Sequence, residues 1–141
     1  MSKKRPPNFG DRETRLQKAY ERLSTRNPRC IVCGETNPLR LQLHHPAQEE
    51  FDRETVIICS SHHNDASEWQ KDHPQKIDGC TSVLEPMAHW LFGLGDLLRI
   101  ASEEPGAEIF KGLLVYIADK LRQFAQALID MAHMTAKPAA S

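Results

Sequence analysis

The sequence predicts a small α+β protein in which an N-terminal helix, a short ββα unit and a C-terminal pair of amphipathic helices follow one another. Three observations predict this order. Two Cys/His pairs bracket two strand-like segments, apolar residues later recur at three- and four-residue steps, and Pro and Gly residues separate these parts. With 141 residues, the chain has room for one modest domain or for a small module with appended helices.

The composition is that of an ordinary soluble protein, with 40% hydrophobic and 26% charged residues. The polar, basic N-terminus does not resemble a secretion signal, and no stretch approaches the roughly 18 uninterrupted apolar residues of a membrane span. We therefore expect a cytoplasmic protein without a membrane partner. In that compartment, a C-x-x-C pair is more often a metal ligand pair or a redox pair than a disulfide.

Charge is distributed unevenly along the chain. Residues 1–29 carry nine Lys or Arg and three acidic residues, a balance of +6, whereas the remainder carries nine and sixteen, a balance of −7. A basic segment beside a metal module suits contact with a polyanion such as nucleic acid. A solvated N-terminal tail would produce the same balance.

The chain divides into three parts. Residues 1–28 form a basic N-terminal arm with a short amphipathic helix over 11–24, for which Asp11 is the expected cap. Residues 29–75 form a compact module, and residues 82–135 form a helical hairpin that could serve as a dimerisation element.

The module contains two pairs of metal-ligating residues. Cys30 and Cys33 have the spacing of a zinc knuckle, and Gly34 supplies the positive φ that its tight turn requires. Cys59 and His62 form the second pair, 26 positions after Cys33. Structural zinc takes four nitrogen or sulfur ligands in a tetrahedron, so this set predicts a closed zinc site that holds the fold.

Another interpretation of the cysteines remains open. Cys30 and Cys33 could form a redox pair and Cys59 a buried core thiol, although the βαβ surroundings typical of thioredoxin-like sites are absent from the sequence pattern. Cys80 is left over and is expected to be structural or incidental.

Strand and helix signals lie between and after the ligand pairs. Residues 39–46 predict a half-buried strand that ends in His44 and His45, and the β-branched run 55–58 predicts the returning strand. A helix over 60–72 follows, capped by one of its first two serines. The order of knuckle, hairpin and helix is the treble-clef arrangement.

The pattern C-x-x-C, then L-x-L-H-H, then a β-branched run into C-x-x-H-H resembles the zinc-stapled HNH (ββα-metal) endonucleases over residues 29–73. The resemblance implies hydrolysis of DNA phosphodiester bonds with a structural zinc and a second divalent cation, Mg²⁺, Mn²⁺, Ni²⁺ or Zn²⁺. It implies that His44 and His63 bind this cation and that His45 is the general base. The residue types fit, because an imidazole with a pKa near 6.5 can accept a proton from water at neutral pH.

The chain departs from the family pattern at two positions. Glu54 stands where the family has the Asn that orients the base, so we include it among the candidate catalytic residues. Ser67 stands where a final His often follows, and Glu68, Asp72 or His73 could substitute for it. The alternative is a catalytically lapsed treble-clef zinc protein that acts as a nucleic-acid- or protein-binding module. In that case His44 and His45 are plain strand-end residues, and His63 either bonds a metal ligand without touching the metal or replaces His62 as a zinc ligand.

Two apolar runs predict the C-terminal helices. The first contains Leu84, Met87, Leu91, Leu94, Leu98 and Ala101, and the second contains Phe110, Leu114, Ile117, Leu121, Phe124, Leu128 and Met131. The second run occupies heptad positions over about three repeats, and its helix would be longer than the module can cover. We therefore expect a homodimer through these helices. The alternatives are a hairpin that packs on the module and a partner protein that docks on the helices.

Overall fold

The computed structural model describes residues 9–136. It contains four helices and one two-stranded antiparallel sheet, in the order α1 (Phe9–Leu23), a 3₁₀ turn (Pro38–Arg40), β1 (Leu41–His44), β2 (Val56–Cys59), α2 (Ser60–Gln70), α3 (Leu84–Ser102) and α4 (Lys111–Thr135). This small α+β architecture confirms the predicted fold class at that level. None of these helices combines the length and the apolar character that crossing a membrane requires.

Two helix starts differ from the expectation. Helix α1 begins at Phe9, so Asp11 lies inside its first turn instead of capping it, where its carboxylate still favours the positive end of the helix dipole. Helix α2 is capped by Cys59, and no side chain bonds its first N–H groups. The Ser60 hydroxyl instead donates to the carbonyl oxygen of Arg40, 3.3 Å away, and so ties α2 to the start of β1.

The sheet brings the knuckle and the second ligand pair to the same end of the module. Leu41 is opposite Cys59 in the β1–β2 register, and His44 is opposite Val56. The knuckle extends the sheet beyond its two strands, because the Ile31 N–H donates to the Ile57 carbonyl oxygen at 2.9 Å.

Two apolar clusters form the interior. The first joins α1, the knuckle, the sheet, α2 and α3, and its buried members are Leu23, Cys30, Leu41, Ile58, Cys59, Ala66, Leu97 and Ile100. The second lies between α3, α4 and the segment before α3, with Ile77, Ala88, Phe92, Ala125, Leu128, Ile129 and Ala132 buried. Helix α3 belongs to both clusters, so it joins the hairpin to the module.

Helix α3 approaches the chain directly after His45 very closely. A Cβ built on Gly93 would lie 2.0 Å from the carbonyl oxygen of Pro46 and 2.8 Å from its Cα. No L-side chain fits that space, so glycine is required here by the contact between two backbones. The position of the segment that carries His45 therefore depends on α3.

The α4 stripe that packs on α3 differs from the predicted one. Three of the five buried residues of α4 are alanines, and the five are Ala118, Ala125, Leu128, Ile129 and Ala132. Of the predicted heptad residues, Leu128 is buried, whereas Phe110, Ile117, Phe124 and Met131 are exposed. Small residues allow α3 and α4 to approach closely at this seam, and the bulky ones are left on another face.

Candidate functional site

The first metal-ligand pair is held by a tight turn after α1. The Gly34 N–H donates to the Cys30 carbonyl oxygen at 3.0 Å, and Gly34 has a φ of 77°, in the left-handed region. The Val32 N–H points at the Cys30 sulfur, 3.4 Å away. The expected knuckle is therefore formed, with backbone donors directed at a thiolate.

Four side chains converge at this turn. The ligand atoms of Cys30, Cys33, Cys59 and His62 all lie within 4.8 Å of one another. Nδ1 of His62 is 3.1 Å from the Cys59 sulfur and 3.8 Å from the Cys30 sulfur, and the Cys33 and Cys59 sulfurs are 3.9 Å apart. Tetrahedral zinc with ordinary bond lengths has ligand–ligand edges of about 3.5 to 3.8 Å. The four predicted ligands thus lie close enough to hold one metal ion, and the donor set suits zinc.

The pKa values of Cys30 and Cys33 are shifted in opposite directions. Burial raises the pKa of the Cys30 thiol, but backbone N–H groups of Cys33, Cys59 and Val32 together with His62 outweigh it and lower that pKa from 9.0 to about 6. Burial and the neighbouring Cys30 sulfur raise the pKa of Cys33 to about 11. One thiolate thus opposes formation of the next, and a bound cation reverses this because it stabilises several thiolates at once.

The far side of His62 is bonded to the hairpin. Its Nε2 lies 2.5 Å from Oε1 of Glu104, in the turn between α3 and α4. Although burial lowers the pKa of His62, its contacts with Cys30 and Glu104 raise the pKa more. A carboxylate on the second nitrogen fixes the ring orientation and the tautomer that leaves Nδ1 free for metal. Glu104 is therefore an outer partner of the metal site, 42 residues from the ligand that it holds.

We expect Glu104→Ala to lower zinc affinity by about 10-fold, because losses of outer partners of metal-bound His typically lie between 10- and 100-fold. The measurement is zinc competition against a chelating dye. Glu103→Ala is the matched control, because Glu103 is exposed and pairs with Lys111 instead of with the cluster. Equal zinc affinities for the two variants would contradict the role assigned to Glu104.

The second predicted group, His44, His45 and His63, lies on the other elements of the ββα unit. The rings of His44, at the end of β1, and His63, in the first turn of α2, are perpendicular with centroids 5.4 Å apart. His44 is buried, with 3% of its surface exposed. Burial, and next the neighbouring His63, lower the pKa of His44 to about 4, so at neutral pH its ring is uncharged and can act as a ligand.

A residue that the sequence did not suggest organises this group. Nε2 of Gln70, in the last turn of α2, donates to the carbonyl oxygens of His45 at 2.7 Å and Pro46 at 3.3 Å. The same nitrogen is 3.4 Å from Nε2 of His44. Gln70 thus fixes both the ring of His44 and the backbone of His45. A glutamine in an exposed-looking helix gives no sequence signal for such a role.

His45 itself follows β1 and is half-buried. Its Nδ1 is buried, with no hydrogen-bond partner in the part of the chain that the structure describes. Glu54 is exposed in the loop between the strands, where its N–H donates to Oδ1 of Asp52 at 2.7 Å. Among the hydrogen bonds and ion pairs of residues 9–136, none joins the Glu54 side chain to His45. The structure thus brings His44 and His63 together and leaves Glu54 in solvent.

The three substitutes considered for the missing last His are placed elsewhere. Nε2 of His73 lies 2.5 Å from the buried carboxylate of Asp96, which also accepts from Arg122 at 2.8 Å. Glu68 is exposed and pairs with Lys71, and Asp72 is exposed. Among the described residues, no third His, Cys, Asp or Glu completes a group with His44 and His63 as compact as the cysteine cluster.

Comparison of the chain with models of protein families, with curated proteins and with solved structures finds no match. The functional interpretation therefore depends on the residues and their geometry.

Proposed function

We propose that this chain is a metal-dependent endonuclease of the HNH type, which hydrolyses DNA phosphodiester bonds and is stapled by a structural zinc in a treble-clef module. The observation that carries the proposal is the meeting of two imidazoles, His44 from the end of β1 and His63 from the start of α2, with ring centroids 5.4 Å apart. The four-residue metal cluster holds the two elements that present them, because Cys59 directly precedes α2 and pairs with the first residue of β1.

His44 and His63 are the residues that would hold a divalent cation. Such a cation would stabilise negative charge on the scissile phosphate and on the leaving oxygen. The fit is supported by the uncharged state of His44, whose pKa of about 4 leaves a lone pair available at neutral pH, and by the ring pair itself. The Gln70 amide nitrogen lies 3.4 Å from Nε2 of His44, so a cation bound at Nε2 would take the place of this contact.

His45 is the proposed general base. Its role is to take a proton from the attacking water, and because Nδ1 is buried, the ring would take that proton at Nε2. The contacts of its carbonyl oxygen with Gln70 and with the Gln48 N–H, at 2.7 and 3.0 Å, hold its backbone in place. The side chain of Glu54 is exposed, and no contact between it and His45 is proposed.

Binding of DNA is proposed to use the basic side chains of the N-terminal part. Arg12, Arg15 and Lys18 are exposed on α1, whereas Arg22 donates to the Leu41 carbonyl oxygen and ties that helix to β1. Contacts of this kind neutralise phosphates without reading bases, so binding should weaken steeply with salt and show little sequence preference.

A second candidate function is a binding module with a lapsed site. Two observations favour it. Glu54 and Ser67 stand at the departures from the family pattern, and His44 is buried, with only 3% of its surface exposed. In that case the zinc module would bind nucleic acid or protein without cutting. The presence of His44, His45 and His63 together favours the nuclease.

The test is cleavage of supercoiled plasmid with Mg²⁺, Mn²⁺ or Ni²⁺ by the zinc-loaded protein and by His45→Ala at matched zinc content. We expect His45→Ala to slow cutting by at least about 100-fold, the usual lower range for loss of a general base, and to retain DNA affinity by fluorescence anisotropy. His133→Ala, an exposed His at the end of α4, is the control and should cut normally. Wild-type protein that binds DNA yet cuts with none of the three ions would favour the binding module.

A further inference from the structure

The hairpin carries a large apolar surface on the side that faces away from the module. We call it the outer face, and its exposed members are Met87 and Leu94 on α3 and Ile117, Phe124 and Met131 on α4. Phe124 has 57% of its surface exposed and Met87 51%. Single exposed apolar residues are ordinary on a protein surface, but several of them on the same side of two packed helices favour an interaction site.

Contacts with the module place these residues on one side of the hairpin. On α3, Gly93 abuts Pro46 and Asp96 bonds His73, whereas Leu94, one step of about 100° further around the helix, faces away. On α4, Arg122 donates a hydrogen bond to Asp96 of α3. The same flank of α4 lines a cavity together with Asp72 and Pro74, which follow α2, and its polar residues there are Asp119, Gln123 and Gln126. The apolar face of α4 is on its opposite flank.

The exposed residues of α4 form a heptad seam of their own. At alternating steps of three and four residues, the positions are Phe110, Leu113, Ile117, Lys120, Phe124, Ala127, Met131 and Met134, all of them exposed. This seam is distinct from the alanine seam that packs on α3. A 3-4 repeat sustained over this length is the pattern with which helices pack side by side, and Lys120 is its one charged member.

We infer that the outer face binds a second copy of this chain, with the two α4 helices antiparallel, so that two hairpins form a four-helix bundle. The sequence of the seam favours this occupant and this direction. With the two-fold axis at Arg122, Ile117 faces Ala127 of the second copy, a bulky residue against a small one, and Lys120 faces Phe124 of the second copy. The stem of Lys120 covers a ring, and its charge avoids another charge. A parallel arrangement would place Lys120 against Lys120.

The size of the face is sufficient for a stable dimer. Helix α4 has 25 residues and is therefore about 38 Å long. With a neighbouring helix about 9 Å away, the hairpin offers on the order of 700 Å² per copy, close to the roughly 800 Å² per partner of a standard specific interface. Symmetric pairing also uses the same patch on both copies, as two-fold interfaces require.

The experiment is sedimentation velocity of the zinc-loaded full chain across a concentration series. We expect a dimer, and we expect Phe124→Glu to raise its dissociation constant by about 30-fold or more, as for a residue at the centre of an interface. Gln123→Glu is the matched control: it introduces the same charge one residue away on the module-facing flank, and should leave the dimer unchanged.

Folding is checked by zinc content and by a cooperative melt for each variant, and Met131→Glu replaces Phe124→Glu if that variant fails the check. A wild-type monomer at about 100 µM would overturn the inference. If that monomer also bound phosphatidylcholine/phosphatidylserine vesicles, the outer face would be assigned to a lipid surface. A dimer that both Glu variants leave intact, or that Gln123→Glu disrupts equally, would also overturn it.

Discussion

Cys59→Ala is expected to unfold the ββα module. Cys59 ends β2, caps α2, is buried in the first apolar cluster and is one of the four residues that lie close enough to hold a metal ion. Structural zinc contributes about 10 to 16 kcal/mol in small zinc-finger peptides at neutral pH, whereas whole domains are stable by about 5 to 15 kcal/mol. Loss of the metal therefore removes as much free energy as the folded state possesses.

The measurement is zinc content together with a thermal melt followed by circular dichroism. Cys80→Ala is the control, because Cys80 lies outside the cluster, with its sulfur 4.0 Å from the Ala132 carbonyl oxygen. The control should retain stoichiometric zinc and melt close to wild type. A Cys59→Ala protein with full zinc and a cooperative melt would contradict the proposed structural role of the metal.

Gly93→Ala is expected to lower the free energy of unfolding by about 3 kcal/mol, the upper end for an added methyl in a packed interior. The new Cβ would overlap the Pro46 carbonyl oxygen at 2.0 Å, and that atom belongs to backbone that cannot rotate away as a side chain would. The melting temperature should fall by about 10 °C for a chain of this size.

Gly112→Ala is its control, since nothing lies within 4 Å of a Cβ at this exposed position in α4, and alanine favours a helix by up to about 1 kcal/mol. It should melt at or above the wild-type temperature. If the proposed nuclease activity is found, relief of the clash by movement of the segment 45–47 would impair cutting by Gly93→Ala even below its melting transition. Equal melting temperatures for the two alanine variants would show that α3 does not press on Pro46 in solution.

The local parts of the fold could be predicted because each has a signal in neighbouring residues. The C-x-x-C turn, the β-branched strand before Cys59 and the 3-4 steps of the hairpin depend on spacing within one element. The structure forms all of them with ends shifted by a few residues, and Asp11 shows how such shifts arise: a residue suited to a cap also suits the first turn.

The remaining features depend on contacts between distant residues. Helix α3 is apolar on nearly all sides, so its periodicity cannot tell which flank meets the module and which meets α4. The heptad pattern predicts that the bulky residues of α4 form its packing face. In the structure, alanines of α4 face α3, because small side chains allow the two helices to approach closely. The pairs His62–Glu104 and His73–Asp96 are 42 and 23 residues apart, and no spacing rule joins them.

The contact between Glu104 and His62 would link metal binding to the proposed pairing of the hairpins. Glu104 lies in the turn that sets how α3 and α4 meet, and these helices carry the outer face. If zinc orders this turn, zinc promotes pairing of the hairpins, and thermodynamic reciprocity then requires that pairing tighten zinc by the same factor. The cell's free zinc would in that case regulate how many copies are paired, and the concentration of the protein would regulate how firmly each copy retains its metal.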